Sequence, residues 1–93
     1  MWEVKHNRRF YKELSKIPLP ARKNIEEIAF GEEIREIPFQ IGRLEKLVGY
    51  RCYYKISFGD YRVGLKIDKK SKTVEYRRAL HRKDIYKKFP CVV

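Results

Sequence analysis

Between Tyr50 and Phe58 apolar and polar side chains alternate. Cys52, Tyr54, Ile56 and Phe58 share one face; Arg51, Tyr53, Lys55 and Ser57 share the other. Gly59-Asp60 is a tight-turn signal, and beyond it Tyr61, Val63, Leu65 and Ile67 oppose Arg62, Gly64 and Lys66. Asp68-Lys69-Lys70-Ser71 supplies a second polar turn. Val74, Tyr76 and Leu80 continue the apolar face, with Glu75, Arg77, Ala79 and His81 opposite. The pattern predicts three strands in series, one side apolar and the other carrying Lys55, Arg62, Arg77 and His81. That second side is the candidate site. Arg77 and Arg78 are adjacent, so a regular strand turns only one of them to it; alternation selects Arg77, and a bulge would reverse the choice.

Ahead of this meander, Trp2-Glu3-Val4-Lys5 alternates as a short first strand, and Asn7 suits a helix N-cap. Phe10, Leu14 and Ile17 recur at helical spacing, with Arg8, Arg9, Lys12, Glu13 and Lys16 turned outward. Pro18-Leu19-Pro20 closes that helix and opens a second, whose stripe is Ala21, Ile25 and Ile28 and whose C-cap is Gly31. Residues Glu32 to Gly42, with Ile34, Ile37, Phe39 and Ile41 around Pro38, read as a loop or short strand crossing back. Arg43 to Leu47 leads through Gly49 into the meander. Arg82 to Lys88 can form one helical turn that Pro90 stops, and Phe89-Pro90-Cys91-Val92-Val93 is an apolar end that packs on the core or on a partner. The order β-α-α-β-β-β gives an α+β fold: a small antiparallel β-sheet packed against an N-terminal helical hairpin, its basic side open.

Ninety-three residues suit one domain, residues 1–93, with a core that folds without staples. A formal net charge of +11 then changes the picture, because it calls for a polyanionic partner: nucleic acid first, an acidic protein second, a membrane surface third. Cys52 and Cys91 have neither metal-ligand nor C-x-x-C spacing, and Cys52 reads as a small core hydrophobe. Structure beginning at Met1-Trp2-Glu3-Val4 leaves no room for a secretory signal, so the cytoplasm is the expected compartment, without a membrane partner.

Three pieces carry a family likeness: Lys46-Leu47-Val48-Gly49-Tyr50, then Tyr54 to Val63 (YKISFGDYRV), then His81-Arg82-Lys83-Asp84-Ile85-Tyr86. With this order and spacing the chain resembles the RelE-like toxins of bacterial and archaeal toxin–antitoxin pairs, within the wider RelE/ParE group. The resemblance implies the fold just derived, and an RNase that enters the ribosomal A site and cuts mRNA there under the control of a cognate antitoxin. ParE relatives, which share the fold, poison DNA gyrase instead, and a RelE-fold RNA- or protein-binding module with a decayed site is the third alternative.

Metal-free RNA cleavage needs a base for the ribose 2′-OH, cations for the pentavalent phosphate and a donor for the leaving 5′-oxygen. No clustered carboxylates suggest a metal site, and no cofactor is called for. By resemblance Arg62 binds the scissile phosphate, and Lys55 stabilises charge or acts as base. His81 serves as acid or base, Arg82 steadies phosphate or leaving group, and Tyr86 stacks on a base or shifts a proton. Arg77 joins them as a cation on the same face. Ser57 departs from the pattern, since a second basic residue is usual there. Arg51, Tyr53, Ser57, Lys66 and Arg78 are candidate RNA contacts. The remaining basic residues, among them Arg8, Arg9, Lys12 and Lys16, form a docking surface for ribosomal RNA phosphates.

Overall fold

The computed structural model describes residues 1–90; Cys91, Val92 and Val93, part of the expected apolar end, lie outside the described residues. Its sheet has five strands: β1 (Glu3–His6), β2 (Leu44–Lys46), β3 (Tyr53–Phe58), β4 (Tyr61–Asp68) and β5 (Thr73–His81), in the spatial order β1-β5-β4-β3-β2. The β2–β3, β3–β4 and β4–β5 pairs are antiparallel, whereas β1 runs parallel to β5. The first strand sits one residue later than its alternation suggests, because the Trp2 N–H leaves the sheet to donate to the Arg35 carbonyl at 2.8 Å.

Four helices complete the chain: α1 (Arg8–Leu14), α2 (Leu19–Ala29), α3 (Glu33–Glu36) and α4 (Arg82–Lys88), with a 3-10 turn at Pro38–Gln40. The Asn7 side chain accepts from the Phe10 N–H at 2.9 Å, satisfying one of the donors that a helix start leaves orphaned. Pro20 lies in the first turn of α2, where its missing N–H costs nothing. Phe10 and Leu14 of α1 and Ile25 and Ala29 of α2 pack on Ile56, Val63, Leu65, Ile67, Val74 and Tyr76, so the helical hairpin lies on the apolar side of the sheet as expected.

Four expectations need correcting. The stretch Glu32–Gly42 is neither loop nor strand but α3 and the 3-10 turn, which bury Ile34 and Ile41 and leave Ile37 and Phe39 exposed. The first meander strand begins at Tyr53; residues 50–52 bend, and Cys52 is a half-buried free cysteine ahead of the strand rather than a core residue within it. The lead-in segment holds an additional strand, β2, whose Leu44, Glu45 and Lys46 pair with Ile56, Lys55 and Tyr54.

The fourth correction concerns β5. Gly64 pairs with Arg78 but Leu65 pairs with Tyr76, which leaves Arg77 as the extra residue of a bulge. Two residues on β5 therefore oppose one on β4, and the alternation shifts. Ala79, expected outside, is buried in the core, and Leu80, expected inside, pairs with Arg62 on the other face. His81 pairs with Tyr61, whose ring packs against the core, so His81 is turned away from the face it was assigned to.

Nor is the second face fully open. Helix α4 returns across it: Ile85 and Phe89 are buried outside the main core, and the Phe89 ring sits directly on Gly64. A β-carbon on Gly64 would come within 2.7 Å of that ring, so glycine is required by close approach. Burying these two side chains is worth roughly 3–6 kcal/mol as an upper figure, enough to hold a seven-residue helix that could not persist alone.

Two outcomes are expected. Gly64→Ala should displace Phe89 and cost about 1–3 kcal/mol in chemical denaturation, with the near-ultraviolet signal of the tyrosines altered. The Tyr76 hydroxyl is buried without a hydrogen-bond partner among the described residues, so Tyr76→Phe should raise stability by about 1 kcal/mol. Burial also pushes this phenol well above its ordinary value of 10.0. Above that pH the unfolded chain ionises while the folded one resists, so the parent loses stability and the advantage of the Phe variant should widen.

Candidate functional site

The pairing register arranges the second face in rows. Ser57, Arg62 and Leu80 form the row nearest the β3–β4 turn. Glu45, Lys55, Gly64 and Arg78 form the next, and Tyr53, Lys66, Glu75 and Lys5 the third. Directly opposed side chains in such rows are near neighbours, about 5 Å apart at Cβ.

At the turn, Arg62 curls back: its Nη1 donates to the carbonyls of Gly59 at 2.6 Å and Tyr61 at 2.9 Å. Arg82 reaches the same turn from the start of α4, its N–H donating to the Asp60 carbonyl at 2.8 Å and its Nε lying 3.7 Å from the Asp60 carboxylate. That pair is exposed and contributes little to stability; its effect is to place two guanidinium groups at one corner of the face. One row further in, Lys55 Nζ donates to the Tyr86 hydroxyl and lies 4.9 Å from the centre of that ring. Tyr86 is 59% exposed, so its ring is available to a ligand. Of the predicted catalytic group, the fold thus gathers Lys55, Arg62, Arg82 and Tyr86.

It does not gather the rest in the same way. Arg77, the bulge residue, pairs with Glu75 at 3.4 Å on the side away from the turn. Arg78 is sequestered: Nε donates to both carboxylate oxygens of Glu13 at 3.1 and 3.0 Å, Nη2 donates at 2.5 Å, and Nη1 reaches the Lys88 carbonyl at 3.3 Å. Glu13 also accepts the Ala79 N–H at 3.0 Å, an edge donor that no strand pairs. With side chains only 11% and 15% exposed, this bidentate pair ties α1, β5 and the end of α4 together. Arg78 is structural here.

His81 is also committed. Its Nδ1 accepts the Lys83 N–H at 3.1 Å, which makes it the N-cap of α4, and its ring stands edge-on to Tyr61 at 5.5 Å. A neutral ring with Nδ1 accepting carries its proton on Nε2. Its Nδ1 lone pair is thereby taken up by the helix cap.

Of the RNA-contact candidates, Tyr53 and Lys66 are half-buried third-row neighbours, and the Tyr53 ring meets Phe89 and Tyr50 edge-on at 5.5 and 6.0 Å. Ser57 leaves Arg62 flanked by uncharged side chains, and Arg51 lies exposed in the bend before β3. Among the described residues, no three His, Cys, Asp or Glu side chains come together as a metal site, and no helix is long and apolar enough to cross a membrane. Sequence reasoning missed Glu13, which looked like one more solvated charge on α1 and carried no local signal. It also missed the covering of the face by Phe89, for which a glycine in mid-strand was the available cue.

A cation-rich face on a mostly antiparallel sheet, backed by a helical hairpin and partly closed by a terminal helix, is also the architecture of known toxins. No family model matches the sequence. Toxin RelE3 of Methanocaldococcus jannaschii is 36% identical over 85 residues, covering 87% of this chain and 91% of that protein. In the crystal structure of the RelB–RelE antitoxin–toxin complex from Methanococcus jannaschii, a matching chain superposes with a TM-score of 0.73 at 33% identity, over 94% of this chain and 100% of its own. The toxin–antitoxin complex RelBE2 of Mycobacterium tuberculosis gives 0.66 at 27% identity, over 87% and 98%. The fold is that of a RelE-type toxin. The chain belongs to the RelE toxin family.

Two substitutions separate structural from chemical roles here. Glu13→Ala should cost about 3 kcal/mol or more in thermal or chemical unfolding, because it leaves a largely buried guanidinium unpaired. His81→Asn, which restores an N-cap acceptor, should unfold like the parent, whereas His81→Ala should lose about 1 kcal/mol.

Proposed function

We propose that residues 1–93 act as one toxin domain, a ribosome-dependent, metal-independent mRNA endonuclease of the cytoplasm held silent by a cognate antitoxin. The observation that carries this reading is the convergence of Arg62 and Arg82 on the Gly59–Asp60 turn, one row from the Lys55–Tyr86 pair. Family membership supports it, as do relatives solved as RelB–RelE complexes. The same likenesses favour a RelE toxin over a ParE-type gyrase poison.

In this reading the 2′-oxygen of a ribose forms a bond to the adjacent phosphorus while the P–O5′ bond breaks, leaving a cyclic phosphate. The phosphorane carries extra negative charge. Arg62 and Arg82 stabilise it from the turn corner, and Lys55 does so from the neighbouring row. Because Tyr86 Oη accepts from Lys55, its own O–H is free to donate to the phosphate or to the leaving 5′-oxygen. The 2′-OH proton leaves to solvent water, the Tyr86 O–H passes to the leaving 5′-oxygen, and the Lys55 proton that Tyr86 Oη accepts replaces it, so each proton has a donor and a destination. His81 contributes by fixing the start of α4, which sets Arg82 and Tyr86, and not by moving a proton.

One feature favours a weaker enzyme: Ser57 and Leu80 flank Arg62 where cations would add to the field. A protein that enters the ribosome without cutting is therefore the second reading. Primer extension on a reporter message in a translation extract distinguishes the two. Cuts should appear only on translated message and fall about a hundredfold with Arg62→Ala, while His81→Asn should keep them. Cutting that survives Arg62→Ala would remove this site from the reaction, and ribosome binding with no cuts would establish the second reading.

A further inference from the structure

Beside the cation corner lies a groove of about 380 Å³ between the β2–β3 loop and the end of α4, with Glu45, Val48, Tyr50, Lys55, Tyr86 and Phe89 among its walls. Its size is that of a small-ligand site, too narrow for a folded partner. It is continuous with the candidate site, since Lys55 and Tyr86 belong to both. Two exposed phenols line it. Tyr86 stands over Lys55, and Tyr50 is held edge-on against Tyr53, which in turn is edge-on to the buried Phe89. A flat apolar ring steadied from behind and open in front is a stacking platform. The loop that presents Tyr50 turns at Gly49, whose φ of +86° admits other residues only with strain, and this turn leaves Val48 96% exposed as the groove's apolar lip.

Glu45 is the discordant member. A carboxylate beside a phosphate-binding lysine repels phosphate, yet it is the direct register partner of Lys55 and the one carboxylate among the groove's described walls. Its chemistry suits the other part of a nucleotide: a carboxylate accepts hydrogen bonds from the exocyclic amino groups of cytosine, adenine or guanine, and uracil has none.

We infer that this groove holds one unpaired RNA base next to the phosphate on Lys55, stacked on Tyr50, with Glu45 reading its amino group and disfavouring uracil. The assignment rests on the RNA-directed reading above and adds a specificity determinant to it. An RNA occupant is favoured over a protein segment by the net charge of +11 and by the continuity of the aromatic walls with the cation corner.

The test uses the full chain and short 2′-O-methyl oligoribonucleotides, which cannot be cut because the attacking hydroxyl is blocked. Fluorescence anisotropy at fixed salt compares four-nucleotide probes of C, A, G and U. The parent should bind the U probe about tenfold more weakly than the others. Tyr50→Ala should weaken binding of every probe by about tenfold, Tyr50→Phe should restore it, and Glu45→Gln should bring the U probe to within about twofold of the rest. Circular dichroism confirms that each variant folds. Unchanged affinity in Tyr50→Ala, or a U probe bound as well as the others by the parent, overturns the assignment. So does the absence of binding to every probe, whether or not ribosomal cutting is seen. Because these probes cannot be cut, base selection by a parent that binds ribosomes without cutting would sink the nuclease reading and leave this one standing, and Arg62→Ala, outside the groove walls, should keep the base selection.

Discussion

One irregularity in β5 determines what the second face of this sheet can do. The bulge at Arg77 resets the alternation for every residue after it. Without it, Ala79 would point outward and Leu80 would enter the core, and His81 would face the second side. With it, Ala79 fits against Val63 in the core, and Arg78 turns to the second face and across the edge of the sheet to Glu13. A bulge costs a ladder hydrogen bond and adds twist. Glu13 offsets part of that by accepting the Ala79 N–H, which lies beyond the reach of the short β1. The ion pair and the bulge are therefore one structural unit, and α1 is part of it.

The same unit fixes α4. His81 ends β5 and caps the helix at once, so there is no linker in which the chain could reorient. From that start the helix lies back over the sheet, with Ile85 buried, Phe89 pressed on Gly64, and the Lys88 carbonyl taken by Arg78. Arg82 and Tyr86 are four residues apart on a helix and thus share a side. One meets the Asp60 turn and the other meets Lys55. Their placement follows from where the bulge directs the end of the strand.

The parts of this that local sequence pattern carried were the elements with clean periods. Asn7 with Phe10 and Leu14 marked α1, and strict alternation marked β3 and β4, so Lys55 and Arg62 were correctly set on one face. Alternation failed in β5 because two arginines and a small alanine satisfy either register; only the β4 partner and Glu13 decide between them. Strand β2 was hidden because three residues with one apolar side chain have no period to read, and its pairing depends on Lys55 and Ile56 opposite. The segment 32–42 mixes helical and extended spacing around Pro38, and long-range burial of Ile34 and Ile41 settles it. The family likeness located His81 but could not say that its Nδ1 would be occupied by a backbone N–H.

Charge distribution shows how a chain this basic keeps a usable site. Repulsion among like charges is relieved selectively. Arg78 is matched by Glu13 and Arg77 by Glu75, both away from the β3–β4 turn. At the turn, only exposed Asp60 approaches Arg82, and Arg62 is held by carbonyl dipoles that orient a guanidinium without cancelling its charge. The cations that brace the fold are paired with carboxylates at short range, Arg82 has the exposed Asp60 at 3.7 Å, and Lys55 and Arg62 form no ion pair among the described residues, so positive charge is least compensated on this part of the face. Two uncharged neighbours, Ser57 and Leu80, limit that charge, and an RNA that binds there has to gain affinity from something other than charge. The phenol rings of Tyr50 and Tyr86 in the adjoining groove offer such a source, because stacking needs no further cation.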